Sequence, residues 1–272
     1  MTNRTGILKN SPLIYALASI RFAPWPLMAQ KIDEIQDDLR EITPLINKIH
    51  MRHIGLGGQF LPKIDDATPA QWVLTSSDRS YGFILAPDQL LFFSKKYTRY
   101  ADFASIIEKG LIVLLKHMRF LDITNIGVRY VDHIKVIEGK KPSDYITANL
   151  LPAEFPHLEM MGGISMESYK SKEAELRVRC TNQSDVPSIP EDMIGMIAMI
   201  QEPGQPFELE LLKSNEILLD IDAVKAYSTY RMNETSDILN QLEFLHKEAN
   251  AFFRHESVCT EFAFEIWKGS VQ

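Results

Sequence analysis

The longest regular pattern in the chain is a two-residue alternation across Asn125–Ile137, NIGVRYVDHIKVI. Ile126, Val128, Tyr130, Ile134 and Val136 are apolar, interrupted by Asp132. Arg129, His133 and Lys135 have the opposite parity, with Val131 among them. Successive strand residues point to opposite sides of a sheet. The spacing therefore predicts a long strand with one face on a core and the other toward water or a ligand. A second strand is predicted over Leu13–Phe22, with Ile14, Ala16, Ala18, Ile20 and Phe22 on one face, Arg21 on the other, and the PWP at 24–26 as its stop. The period then changes. Met28, Ile32, Ile35, Leu39 and Ile42 form a helical stripe, and Pro44 ends it.

Residues 50–61 are less regular, and glycines 55, 57 and 58 suggest a bulged strand or loop before a turn at 63–69. QWVLTSS, YGFILAP and QLLFFSKK, separated by hairpin-length turns, predict an antiparallel meander. Phe103, Ile106, Ile107, Leu111, Leu114, Leu115 and Met118 then mark a helix with Asp102 at its N-cap. The order restarts with the 122–137 strand. A short helix near 142–150 follows, then strands over 163–171 and 173–181 and a Met-rich segment at 193–200 that suits either helix or strand. FELELL and EILLDID read as further strands, and Ile238, Leu242, Leu245, Ala249 and Phe252 mark a long last helix. The tail EFAFEIW alternates and predicts a terminal edge strand.

The expected fold class is α+β, with helices on one face of a mainly antiparallel sheet. It has two strand–helix–meander–helix halves, 1–119 and 120–272, either as separate domains or as one continuous domain. Arg21-Phe22 echoes Arg129-Tyr130, and YTRY at 97–100 echoes YSTY at 227–230. A tandem pseudo-repeat is one reading of these echoes. The other is that α+β chains alternate this way by chance.

Composition narrows the function classes. A net charge of −7 opposes non-specific nucleic-acid binding. Runs such as LIVLL fall well short of the roughly 20 apolar residues of a membrane span, and the opening MTNRTGILKNSPL lacks the apolar core of a secretory signal. Two distant cysteines, Cys180 and Cys259, without a C-x-x-C, suit reduced thiols in a cytoplasm. GLGG at 55–58 lacks either nucleotide-binding frame, and neither H-E-x-x-H nor G-x-S-x-G occurs. His50 and His53 sit among glycines that oppose a helical zinc pair, and His246, Glu243 and Glu256 read as a solvated helix face. No catalytic residue, metal ligand or cofactor is expected.

The strongest chemical signal is charge on strand faces. Glu173, Glu175, Arg177 and Arg179 alternate with apolar residues, as do Glu208 and Glu210, and Asp220 and Asp222. The candidate ligand- or partner-binding set is Arg129, His133, Lys135, Arg177, Arg179, Glu175, Glu210, Asp220 and Asp222. E-x-E-x-R at 173–177 resembles the E-x-E-x-K strand of triphosphate-tunnel enzymes, which implies a phosphorylated ligand with a divalent cation. The plainer alternative is the wet side of a sheet with charges paired across strands. Asp132 needs a partner or a shifted pKa if buried, and an ion pair with an arginine such as Arg21 is expected. Met193, Met196 and Met199 suit core filling or an adaptable docking surface.

PLIYALASIRFAP, LLFFSKKYTRYADF, GVRYVDHI and LLDID before a helix resemble a sporadically distributed family of uncharacterised bacterial proteins. The likeness spans nearly the whole chain through short, mainly structural motifs. It departs at Asp132 and His133, where that family often shows asparagine and arginine. The resemblance implies a bacterial cytoplasmic setting and an association with defence or toxin-linked gene neighbourhoods. The first functional expectation is a non-enzymatic protein-interaction component, such as an immunity, antitoxin or phage-defence accessory protein. Its partner is a protein or a second copy of the chain, with no nucleic acid or membrane partner. The second is a nucleotide- or polyphosphate-binding sensor, or a metal-dependent phosphohydrolase, using the charged face.

Overall fold

A computed structural model describes residues 4–50, 70–153, 155–171, 173–202 and 204–269. In chain order the elements are β1 (Leu13–Phe22), α1 (Met28–Leu39), β2 (Leu45–His50), β3 (Ala70–Thr75), β4 (Tyr81–Ala86), β5 (Gln89–Ser94), α2 (Tyr100–Met118) and β6 (Leu121–Ile134). There follow β7 (Gly162–Lys170), β8 (Glu175–Gln183), α3 (Ile194–Ile200), β9 (Ile217–Met232), α4 (Thr235–Phe253) and α5 (Glu261–Lys268). The strands form one antiparallel sheet in the order β2-β3-β4-β5-β1-β6-β9-β8-β7. The fold is α+β, and both halves of the chain share the sheet through the β1–β6 pairing.

Alternation dictates the two faces. Ala16, Ala18, Ile20 and Phe22 of β1 join Ile126, Val128, Tyr130 and Ile134 of β6 and Ile217, Leu219, Ile221 and Ala223 of β9 in the larger core. α1, α2, α4 and α5 cover that side through Ile32 and Ile35, Ile107 and Leu111, Leu242 and Leu245, and Phe264 and Trp267. Gly110 lets α2 approach closely, because a Cβ there would lie 2.6 Å from the Phe83 ring. The opposite face carries a smaller core in which Leu17, Val131 and Leu218 pack under α3. Met193, Met196 and Met199 are all buried in it, so the Met-rich segment is a helix that fills core.

Several expectations are corrected. The tail 261–267 is helix α5, because Ala263, Phe264 and Trp267 meet the core at helical spacing while Thr260 caps the start and Gly269 in the left-handed region ends it. Residues 207–212 form only an isolated bridge at Leu211, whereas β9 is a single sixteen-residue strand that absorbs the YSTY segment. Residues 142–144 form a 3₁₀ turn rather than a full helix, and β2 was not foreseen. The tandem repeat is not confirmed. The second half has that turn where the first has α1, and YTRY enters a helix where YSTY stays in a strand. The expectations for 51–69, including the GLGG bulge and His53, lie outside the described residues, as does the side chain of His50.

A bulge decides what happens at one end of the β1–β6 pair. Leu13 pairs with Asp132 and Tyr15 with Val131, so Ile14 is the extra residue and packs against the smaller core. Leu13 is thereby returned to the helix-covered side, facing Asp132.

Candidate functional site

A cavity of about 250 Å³ lies on the helix-covered side of the sheet at that bulge. β6 supplies Tyr130 and Asp132, which share a face because they are two residues apart, and β1 supplies Leu13. The segment entering α2 adds Tyr97, Thr98, Arg99 and Tyr100. α4 contributes His246, Ala249, Asn250 and Phe253 at steps of three, one and three, with Arg254 just past its end. The N-terminal arm closes the cavity with Gly6, Ile7, Leu8 and Ser11.

Aromatic rings build most of the wall. Tyr100 stacks on His246 at 4.3 Å and 7°, and Tyr130 meets Tyr97 and His246 edge-on, each at 5.8 Å. The Tyr130 hydroxyl and His246 Nδ1 share a 2.8 Å hydrogen bond. Burial, reinforced by the Arg254 charge, pushes the imidazole down to about 4, so His246 is neutral near pH 7. Burial also pushes the Tyr97 phenol up to about 12 and raises Tyr100 and Tyr130.

Two polar groups in this wall stand without partners among the described residues. The Tyr100 hydroxyl is buried with no hydrogen bond. Asp132, 3% exposed, makes neither a hydrogen bond nor an ion pair with any described residue. Burial, with a smaller contribution from Asp220 behind the sheet, pushes its carboxyl up to about 8. The expected pairing with Arg21 does not occur. Arg21 is exposed at the far end of β1, opposite Asn125. The nearby arginines are committed elsewhere. Arg254 donates to Asn250 Oδ1 at 2.8 Å and to the carbonyls of Gly6 at 2.9 Å and Arg4, and Arg4 donates to the Cys259 carbonyl at 2.7 Å. These bonds fasten the arm over the cavity. Arg99 pairs with Asp102 at 2.9 Å.

The charged residues singled out in the sequence lie on the opposite face. Arg129, Asp222 and Arg177 are consecutive cross-strand neighbours on β6, β9 and β8, and Asp220 lies opposite Arg179. The Arg129 guanidinium bonds Asp220 at 2.8 and 2.7 Å and Asp192 at 2.6 and 3.0 Å. Asp222 is pushed up to about 6 by burial, an effect that Arg129 partly offsets. Toward the end of β6, His133 contacts Glu216 at 2.9 Å, and beyond it Lys135 contacts Glu210 at 2.9 Å. At the end of β8, Arg177 bonds Glu175 at 2.8 Å. Arg129, Arg177, Arg179, Asp220 and Asp222 are thus brought together, with Glu175 at the margin on Arg177, while His133, Lys135 and Glu210 sit apart in local pairs with Glu216 or each other. A phosphate at Arg129 or Arg177 would have to displace carboxylates that these two guanidiniums already hold.

No family model and no curated protein match this chain. The resemblance carried by its short motifs therefore gains no independent support, and the site is read from its own chemistry.

Sequence reasoning treated His246 as part of a solvated face, whereas it is half-buried and stacked on Tyr100. Tyr97, Tyr100 and Arg254 carry no sequence signal beyond the YTRY motif at 97–100. Asp132, the one break in an apolar face, was the signal in the sequence that pointed here. Among the described residues no group of three or more acidic, histidine or cysteine side chains is placed to hold a metal. Both cysteines are buried, which pushes Cys180 up to about 12 and Cys259 well above the ordinary thiol range, so neither is poised as a thiolate. No helix among the described residues is long and apolar enough to cross a membrane.

Proposed function

We propose that this protein binds a small organic molecule in the aromatic cavity beside Asp132. One observation carries the reading: a carboxyl more than nine-tenths buried, with no partner among the described residues, faces a cavity built from β1, β6, α4, the entry to α2 and the N-terminal arm. Leaving a buried polar group unsatisfied costs about 1–3 kcal/mol, and no described residue around Asp132 supplies a hydrogen bond to offset it. Concave, mostly apolar pockets with a few convergent polar groups and perturbed titrations are where ligands bind. The test is a thermal-shift screen of small polar fragments, because a ligand that binds the native state raises the midpoint. The expected hits lose their shift when Leu13→Trp fills the cavity. Hits that persist in a folded Leu13→Trp variant bind elsewhere and refute the reading.

A second reading retains an interaction role, at the β7 edge of the sheet. Ile164 and Met166 are 55% and 69% exposed on a nine-residue edge strand, and such edges are templates for strand addition. A second copy of the chain is the simplest partner. Sedimentation should then show self-association that Met166→Lys abolishes, and a concentration-independent monomer would remove this reading.

A further inference from the structure

We infer that the cavity's ligand is an organic cation, a small alkyl- or aryl-ammonium whose positive head sits between Asp132 and the tyrosine rings. The inference rests on the pocket reading above and names the chemistry that the pocket takes.

The first support is the missing counter-ion. Asp132 is the buried acid of the wall, and no described cation reaches it. The second is the wall itself. Tyr97, Tyr100, Tyr130 and the neutral His246 surround the space with aromatic rings. Ring faces attract an ammonium, most strongly where water is excluded. The third is what the pocket lacks. An anionic ligand would meet two guanidiniums whose described donors are already engaged, Arg99 with Asp102 and Arg254 with Asn250 and arm carbonyls. Arg254 is the one feature that opposes a cation. Its charge acts on His246 and Tyr97 rather than on Asp132, and its donors turn toward the arm. At about 250 Å³ the space lies below the roughly 300 Å³ where drug-sized ligands begin. That suits a compact head with a short apolar tail against Leu8, Leu13 and Phe253.

Binding such a cation has a proton signature. The groups around Asp132 are Tyr130 on its own strand, Asp220 behind it on β9, His246 and Arg254 from α4 and its end, Tyr97, Arg99 and Tyr100 from the approach to α2, and Cys259 ahead of α5. With the empty-site carboxyl at about 8, about nine-tenths of the molecules hold the Asp132 proton at pH 7. An ammonium requires the carboxylate, so the proton leaves to solvent as the cation enters. Affinity should rise about tenfold per pH unit up to pH 8 and then level off.

The experiment is calorimetric titration of the full chain at pH 7, in two buffers of different ionisation enthalpy. The probes are choline, phenethylammonium and their neutral analogues 3,3-dimethylbutan-1-ol and 2-phenylethanol. The expected result is binding of the cations at least tenfold tighter than their analogues, with close to one proton released. Asp132→Asn, checked by its melting transition, should abolish both the preference and the proton release. Neutral analogues that bind equally well, or cations that bind without proton release, overturn the cation assignment and leave the pocket reading standing. If no probe of either kind binds at 10 mM while fragments from the screen do, only the cation assignment falls. If nothing binds in either experiment, both fall.

Discussion

Replacing Asp132 by asparagine should stabilise this protein, by an amount that grows with pH. A carboxyl whose folded value is raised contributes stability that is fully present below its unfolded value and is lost as pH rises through its folded value, because the native state binds the extra proton. For Asp132 the window runs from 3.8 to about 8. At about 1.4 kcal/mol per tenfold change in proton affinity, ionisation of this one group removes about 5–6 kcal/mol across the window. That is a large share of the roughly 5–15 kcal/mol that holds a typical domain together. Asparagine resembles the neutral acid in size and cannot ionise. The two proteins should therefore be within about 1 kcal/mol of each other at pH 4, and the variant should gain about 1.4 kcal/mol per pH unit up to pH 8. Urea denaturation followed by fluorescence of Trp25, Trp72 and Trp267, at pH 5, 6.5 and 8, measures the difference directly. His246 and Asp222 titrate in neighbouring ranges, but they are common to both proteins and cancel. A difference that stays constant from pH 5 to pH 8 would refute a buried Asp132 without a described partner.

The remaining expectations test the other groups. His246 has a depressed folded value, so wild type should lose stability as pH falls from 6.5 toward 4; His246→Gln should remove about 1–2 kcal/mol of that loss in acid denaturation curves, a figure discounted for its partial exposure. Arg129→Met leaves Asp220 buried without its cation and should cost about 3–5 kcal/mol in urea unfolding, whereas Lys135→Ala, which breaks an exposed pair, should cost less than about 1 kcal/mol. Thr260→Ala removes the side-chain acceptor for the Ala263 N–H at 3.2 Å and should cost about 1 kcal/mol by the same assay.

The polar patches of this chain differ in how their charges are answered. On the α3-covered face, Asp220 and Asp192 are held by the Arg129 guanidinium and Glu216 lies 2.9 Å from the His133 ring. Under α4, the acid is surrounded by rings and has no described cation. The first arrangement suits a protein that must hold strands in register. The second is the arrangement on which the proposed ligand pocket rests.

Much of the scaffold was legible from residue spacing. The apolar parity of β1 and β6 and the stripes of α1, α2 and α4 record burial against a single neighbouring layer, and that layer imprints its period on the local sequence. EFAFEIW shows the limit of such reading. Seven residues satisfy both a strand and a helix template, and only the core beneath Ala263, Phe264 and Trp267, with the cap at Thr260, decides for helix. The identity of Asp132 as an intruder on an apolar face could be read from Asn125–Ile137 alone. That it stands unpaired could not, because its surroundings come from Leu13, Tyr97–Tyr100 and His246–Arg254, segments more than a hundred residues apart at their extremes. Periodicity reports which face of an element is buried. Only the packing of distant elements decides whether a charge on that face meets a partner, and here a one-residue bulge in β1 and an arm fastened by Arg254 leave Asp132 facing a cavity.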